Sequence, residues 1–257
     1  MNARGQYIAF RAILVKEVLR FTRIWVQTVL PPMITTALYF VIFGQLIGSQ
    51  IGDVHGFHYM QYIVPGLILM SVITNSYANV VSSFYSAKFQ HNIEEMLVAP
   101  VPNYLIMLGF LGGGLARGLA VGVAVTLVAL LFTPIPLHNL WVAFSVLILT
   151  SILFSLGGLI NAIYAKSFDH ISIVPTFVLT PLTYLGGVFY SVAMLPPFWQ
   201  DVSLVNPILY MVNAFRYGLL GITDVHLGVA YLAIIGFIAG LFAFALYLLN
   251  RGHGIRT

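Results

Sequence analysis

Charged residues and cysteine are what this chain lacks most clearly. Only 7% of its 257 residues are Asp, Glu, Lys or Arg, whereas a soluble globular domain carries about 25%. A folded chain of this size could not keep its surface hydrated with so few charges, so a soluble domain is excluded. The complete absence of cysteine excludes disulfide bridges, thiolate metal sites and iron–sulfur clusters.

Motifs for catalysis and nucleotide binding are also missing. None of the lysines follows a glycine, so the chain has no Walker A loop. The histidines are scattered, and the pair His55 and His58 has no obvious third metal ligand. No Asp or Glu lies in the middle of an apolar stretch, which disfavours an ion-coupled transporter. We therefore expect no catalytic, cofactor or metal site in this chain. A membrane enzyme and a non-transport regulatory or assembly protein remain lesser alternatives.

Long apolar runs take the place of those motifs. Hydrophobic residues make up 60% of the chain, and the mean hydropathy is +0.97. A run of about 20 apolar residues can cross a hydrocarbon core about 30 Å thick as a helix. We predict an all-α polytopic membrane protein, with one domain over residues 1–257 and six transmembrane helices. The predicted spans are residues 28–48, 60–83, 104–132, 139–163, 171–195 and 227–249.

The basic residues predict the orientation. Nine of the eleven Lys and Arg residues fall on one side of this topology, in the N-terminal segment, at Lys88 and Lys166, and in the tail. Arg216 falls on the other side, and Arg117 lies inside the third span. The positive-inside rule therefore places both termini in the cytoplasm. The net charge of +4 reflects this topology and does not indicate nucleic-acid binding.

The side-chain pattern of residues 1–25 predicts an amphipathic helix on the cytoplasmic surface of the membrane. Lys16, Arg20 and Arg23 fall on its polar face. Such a helix either anchors the chain only or also contacts a cytoplasmic partner. The opposite face carries apolar side chains at steps of three or four, which are Tyr7, Phe10, Leu14, Val18, Phe21 and Trp25.

Residues 86–102, between the second and third spans, predict a short cytoplasmic helix that Pro100 and Pro102 end. It is either a solvated connector or a docking element for a soluble partner. Its apolar residues, Phe89 and Leu97 among them, would share one face. The candidate contact residues are Lys88, Phe89, Ile93, Glu94, Glu95, Met96 and Leu97.

Two polar stripes lie inside the predicted spans. Polar side chains are costly against lipid, so both stripes should face the bundle interior. There they either join helices by hydrogen bonds or line a path for a polar substrate. The second span contributes Ser71, Asn75 and Asn79, and the fifth contributes Thr176, Thr180, Thr183 and Tyr184.

Arg117 is the basic residue that lies well inside a predicted span, and a charge there needs a partner. Glu17, Glu94 and Glu95 are the nearest cytoplasmic candidates for that partner. We predict that Arg117 pairs with one of them, such as Glu17, and relays motion of the 86–102 helix into the bundle. The alternative is an arginine that only anchors its helix at the interface.

Small residues recur at four-residue spacing in the third span, at Gly114, Gly118 and Gly122. This spacing predicts close helix packing. Residues 181–221 are interrupted by proline and glycine and therefore predict two short re-entrant helices at the outer face.

Two segments resemble the ABC-2 type transporter permeases. One is Glu94-Glu95-Met-Leu-Val-Ala-Pro-Val-Pro, and the other runs from Leu195-Pro-Pro-Phe-Trp through Asn206-Pro to Phe215-Arg216. The resemblance covers essentially the whole chain and is strongest to a group of bacterial inner-membrane permeases. It implies an exporter subunit that pairs with a second copy of itself and binds a separate ATP-binding subunit.

The resemblance also implies a role for each unusual segment. Residues 86–102 would be the coupling helix that docks on the ATPase, residues 1–25 the connecting helix, and residues 181–221 an outer gate. ATP and magnesium would be bound by the partner subunit and not by this chain. The protein would be a multi-pass component of the bacterial inner membrane, in contact with lipid, and would export an unidentified substrate.

Overall fold

A computed structural model describes residues 2–252, apart from the side chains of Gln45, Leu46, Ile47, Ser49 and Leu97. The tail residue Arg256, which contributed to the predicted orientation, lies outside this range. The first half of the described chain contains six helices, which are α1 (Ala3–Arg23), α2 (Trp25–Tyr39), α3 (Gly48–Ile51), α4 (Tyr59–Phe89), α5 (Asn92–Val98) and α6 (Asn103–Phe132). The second half contains α7 (Leu140–Tyr164), α8 (His170–Val174), α9 (Thr180–Leu185), α10 (Pro197–Leu204), α11 (Pro207–Leu220) and α12 (Leu227–Arg251).

Three irregular helical segments and one small hairpin complete the fold. The π-helical segment Phe40–Ile47 continues α2, a second one (Pro175–Leu179) joins α8 to α9, and Val192–Met194 forms a 3₁₀ turn. The strands β1 (Asp53–Val54) and β2 (Phe57–His58) pair antiparallel, with Asp53 opposite His58.

Five helices are long and apolar enough to cross a membrane, which are Trp25–Gly44 and the helices α4, α6, α7 and α12. The prediction of an all-α polytopic membrane protein is therefore confirmed. The predicted fifth span, residues 171–195, corresponds to the shorter segment His170–Leu185. Its predicted end at Leu195 was wrong, because the helix stops where Gly186 and Gly187 turn the chain, and Gly187 adopts φ +72°.

Helix α4 forms the centre of the bundle. It packs against α6 and α7 along its length and against α11 near its start, so most of its side chains are buried. The close packing of α6 against α4 depends on glycines of α6, as their four-residue spacing predicted. A Cβ added to Gly114 would lie 2.6 Å from a methyl group of Val80 in α4.

The bundle has two distinct ends. Helix α4 has 31 residues and is therefore about 46 Å long at 1.5 Å per residue. It begins directly after the β-hairpin and ends just before α5. We refer to these as the hairpin end and the α5 end. Helices α10 and α11 form the two short helices predicted for residues 181–221.

Candidate functional site

The predicted coupling segment is two helices and not one. Ser86 to Phe89 form the last turn of α4, and the chain then turns at His91, which adopts φ +60°. Helix α5 starts only at Asn92. Phe89 and Ile93 therefore do not share a helical face as predicted. Phe89 is 63% exposed at the end of α4, whereas Ile93 is fully buried in the core.

Helix α5 presents its acidic side chains at the surface. Glu95 is exposed and Glu94 is partly exposed, with one carboxylate oxygen of Glu94 2.9 Å from Nδ1 of His91. Met96 is partly buried against the core, and Val98 is 88% exposed. The side chain of Leu97 lies outside the described residues. A buried apolar side with an acidic outer side is an arrangement that can dock a soluble partner without loosening the bundle.

Lys88 is engaged inside the chain, although the sequence suggested a free docking charge. Its ammonium group donates hydrogen bonds to the carbonyl oxygens of Ile163 (2.7 Å) and Ala165 (2.8 Å). These carbonyls belong to the C-terminal end of α7, where the helix leaves carbonyl groups without partners and where its dipole favours a cation. Lys88 therefore caps α7 and fixes its end to the end of α4.

An aromatic group makes a second connection at the α5 end. The ring of Phe168, in the loop between α7 and α8, lies 4.8 Å from the ring of Tyr85 and 5.3 Å from that of Phe89. Both contacts are edge-to-face, the favoured geometry for aromatic pairs. The loop before α8 is thereby fixed to the last turns of α4.

Helix α1 packs in a groove of α6. The predicted division of α1 into an apolar face and a polar face is therefore wrong in part. Three glycines on one side of α6 leave room for α1. A Cβ added to Gly113 would lie 2.6 Å from Cβ of Glu17, and Gly112 similarly faces Leu14. Glu17 and Phe21 are buried against the bundle and Tyr7 is largely exposed, whereas Trp25, which was predicted in the same helix, begins α2.

Arg20 also belongs to the inward side of α1, contrary to the prediction. Its Nη2 donates hydrogen bonds to the main-chain oxygen (2.9 Å) and to Oδ1 (2.8 Å) of Asn79 in α4. Its Nε lies 3.4 Å from a carboxylate oxygen of Glu17. Arg20 therefore joins the N-terminal helix directly to the central helix of the bundle.

Arg117 pairs with an amide and not with a carboxylate. Its Nη2 donates a hydrogen bond of 2.9 Å to Oδ1 of Asn75. Among the described residues, no ion pair joins Arg117 to Glu17, Glu94 or Glu95, so the predicted pairing with a carboxylate is wrong. Glu17 and Arg117 nevertheless lie in one group. Arg20 contacts both Glu17 and Asn79, and Asn79 lies one turn of α4 from Asn75, the partner of Arg117.

This group, which we call the polar cluster, consists of Glu17, Arg20, Asn75, Asn79 and Arg117. It is only partly satisfied within the described part of the chain. One carboxylate oxygen of Glu17, Nδ2 of Asn79 and Nε of Arg117 are buried there without a hydrogen-bond partner. Buried polar groups in this state are costly and mark sites where water or a ligand completes the network.

A cavity of about 230 Å³ adjoins the polar cluster between α2 and α4. The predicted pathway residues Ser71 and Asn75 line it, together with Thr36, whose hydroxyl lies 3.3 Å from that of Ser71. Asn79 lies one turn farther toward the α5 end and is not among the lining residues. The prolines of α2, Pro31 and Pro32, form part of the opposite wall.

The second predicted stripe does not join this cavity directly. Thr176 and Thr180 are exposed on the surface of the chain, and the hydroxyl of Thr183 bonds the carbonyl of Leu179 in its own helix. Tyr184 comes closest, because its ring lies 5.9 Å from that of Phe189, which in turn lies 6.0 Å from the ring of Tyr39 at the cavity wall. The two stripes therefore remain separate within one chain.

Comparison with known proteins identifies the family of this chain. The family model "ABC-2 type transporter" matches residues 8–220. The inner membrane transport permease YadH of Escherichia coli K12 is 60% identical over 252 residues, which cover 98% of each chain. Nodulation protein J of Rhizobium meliloti is 24% identical over 214 residues, covering 83% of this chain and 82% of its own. The chain therefore belongs to the ABC-2 type transporter family.

Proposed function

We propose that this chain is the permease subunit of an ATP-binding cassette exporter in a bacterial inner membrane. Two copies would form the export path, and each would bind a separate ATPase subunit that holds ATP and magnesium. The family membership and the 60% identity to an inner membrane transport permease support this role. The observation that carries it is the position of α5, a short acidic helix held at the ends of the longest helices.

Helix α5 is suited to transmit motion, because the last turn of α4 leads into it and that turn is bonded to neighbouring helices. Ile93 anchors α5 in the core. Lys88 connects the preceding turn to α7, and Phe89 connects that turn to Phe168 in the loop before α8. A force on Glu94 and Glu95 would therefore act on α4, α7 and α8 together. A nucleotide-driven change requires that the partner bind two states of the permease with different affinity.

The charges support a cytoplasmic location for the α5 end. Lys88, Lys166 and Arg251 lie there, and so does α1 with its five basic residues. Arg216 lies at the hairpin end. By the positive-inside rule, the hairpin end would face outward and both termini would lie in the cytoplasm.

The export path would run between two copies of the chain. Helix α2 buries only Thr28 and Thr36, and the broken helix from His170 to Leu185 is largely exposed. A second copy would cover these surfaces, and the cavity between α2 and α4 would then open onto the path. Polar side chains at the path, such as Ser71, Asn75 and Thr180, would contact the substrate.

Charge reversal on α5 tests the docking role. In the double variant Glu94→Lys/Glu95→Lys, we expect normal membrane insertion but at least about a tenfold loss of co-purified ATPase subunit, because interfaces depend on the sign of their charges. The matched control is Asp53→Lys/Asp201→Lys, which makes the same change in net charge on exposed residues of the hairpin end. Assembly and ATP hydrolysis at wild-type levels in the α5 variant would contradict the proposal.

A further inference from the structure

Arg216 in α11 is the most deeply buried charged side chain at the hairpin end, with 1% of its surface exposed. Its Nη2 donates a hydrogen bond of 2.7 Å to the carbonyl oxygen of Gly187, and its guanidinium carbon lies 4.0 Å from the ring centre of Tyr62. Nε and Nη1 have no hydrogen-bond partner in the described part of the chain. A buried guanidinium group requires more partners than one carbonyl oxygen.

The hydroxyl group of Tyr62 is a further unsatisfied group at this position. It is buried and has no hydrogen-bond partner in the same described part. Three polar atoms without partners therefore lie on two side chains that contact each other. Clustered buried groups of this kind indicate a missing binding partner.

Asp224 provides the opposite charge nearby. Its Oδ2 accepts a hydrogen bond of 2.8 Å from the hydroxyl of Ser191, and its Oδ1 lies 3.8 Å from Nε2 of His55. Between the described side chains of Asp224 and Arg216 there is no ion pair within 4.0 Å. The carboxylate therefore keeps acceptor capacity that the guanidinium group does not use.

A cavity of about 290 Å³ is lined by both charged residues. His55, at the tip of the β-hairpin, and Tyr62 also line it, and its walls are mostly polar. The loop that carries Asp224 begins at Gly221, whose φ of +78° ends α11 and turns the chain across the cavity. The volume is close to the lower end of the range for small-molecule sites, about 300 Å³.

The opposite charges of Arg216 and Asp224 restrict the kind of ligand that this cavity can bind. A simple anion would bind beside Arg216 but would be repelled by Asp224, and a simple cation would meet the reverse arrangement. A ligand with an anion next to a cation satisfies both residues, and a guanidinium group matches the oxygens of a phosphate. We propose that this cavity binds a zwitterionic headgroup of the phosphoethanolamine type, with the phosphate at Arg216 and the ammonium at Asp224. The inference does not depend on the ATPase partner.

Native mass spectrometry of the purified full chain tests the proposal. The probes are dihexanoyl phosphatidylethanolamine and dihexanoyl phosphatidylglycerol, which share the phosphate and differ in the ammonium group. We expect the wild type to bind the ethanolamine lipid about tenfold more tightly. Asp224→Asn should remove this preference, because it removes the charge and keeps an acceptor for Ser191. Equal binding of both lipids by the wild type would overturn the proposal.

Two further variants sharpen the result. Arg216→Lys keeps the charge and loses the fork of donors, so it should weaken both lipids about tenfold. Asp201→Asn makes the same substitution on an exposed carboxylate of α10 and should leave both affinities unchanged. A loss of the preference in Asp201→Asn, or its persistence in Asp224→Asn, would refute the assignment.

Soluble phosphoethanolamine distinguishes the two sources of such a headgroup. Long-chain phosphatidylethanolamine that co-purifies with the wild type, but not with Asp224→Asn, would identify the membrane as the source. Binding of added phosphoethanolamine without a retained lipid would identify a soluble molecule or a group on the exported substrate. If the wild type neither retained phosphatidylethanolamine nor bound added phosphoethanolamine, the proposed headgroup would be wrong.

Discussion

Replacement of Lys88 by methionine separates a docking role from a structural one. Methionine has a similar length and can fill the space of the lysine stem, but it cannot donate to the carbonyl groups of Ile163 and Ala165. If Lys88 mainly caps α7, Lys88→Met will destabilise the isolated permease. If it mainly docks the ATPase, the isolated permease will be as stable as the wild type.

The magnitude follows from the two hydrogen bonds. A hydrogen bond to a charged group contributes about 1.5–3 kcal/mol, and a cation at a helix C-terminus contributes about 0.3–1 kcal/mol. One ammonium group makes both bonds and is only partly buried. We therefore expect Lys88→Met to lower the free energy of unfolding by about 2–3 kcal/mol in total. For a chain of this size, that loss lowers the melting temperature by roughly 5–10 °C.

The assay is thermal unfolding of the detergent-solubilised permease without any ATPase subunit. Lys88→Arg serves as the control, because it keeps a cationic donor and should recover most of the stability. Lys166→Met, at the same end of the bundle, changes an exposed lysine and should have little effect. A melting temperature unchanged in Lys88→Met would refute the capping role.

Two other predictions concern packing and the polar cluster. Gly158→Ala places a Cβ 2.6 Å from a main-chain oxygen of α4 and should cost about 1–3 kcal/mol of unfolding free energy. A Cβ added at Gly236 meets no atom of the described residues within 4 Å, so Gly236→Ala should not lower the thermal stability. Asn75→Leu and Arg117→Met should each destabilise the permease, and their double-mutant cycle should give a coupling of about 1–2 kcal/mol. Additive effects of these two substitutions would mean that their hydrogen bond contributes nothing.

The long helices could be predicted from sequence because their signal is local. Apolar run length and helix breakers set both ends, so the predicted span 104–132 differs from α6 by one residue at its start. The predicted end of the fifth span, at Leu195, was wrong because run length alone does not mark the end of that helix. The apolar run continues past Leu185, but backbone conformation at Gly186 and Gly187 ends the helix there.

Side-chain pairings could not be predicted because they join distant segments. The periodicity of α1 separates apolar from basic residues, but it does not reveal that glycines of α6 open a groove in the bundle. Arg20 therefore faces Asn79, 59 residues away, and Lys88 reaches Ile163, 75 residues away. The isolated charge of Arg117 correctly signalled a buried partner, but an amide from α4 meets that need.

The polar residues divide into those that hold the bundle together and those that remain available to other molecules. Arg20, Lys88 and Arg117 are bonded to other helices of the same chain, so a partner could use them only by breaking contacts. Glu94 and Glu95 at the α5 end remain accessible, and the unsatisfied groups around Arg216 lie at the hairpin end. Helix α4 connects both regions without a break, since Tyr62 lies in its first turn and its last turn leads into α5. A displacement of α5 that moves α4 as a rigid rod would therefore shift Tyr62 against Arg216 and change the shape of the hairpin-end cavity.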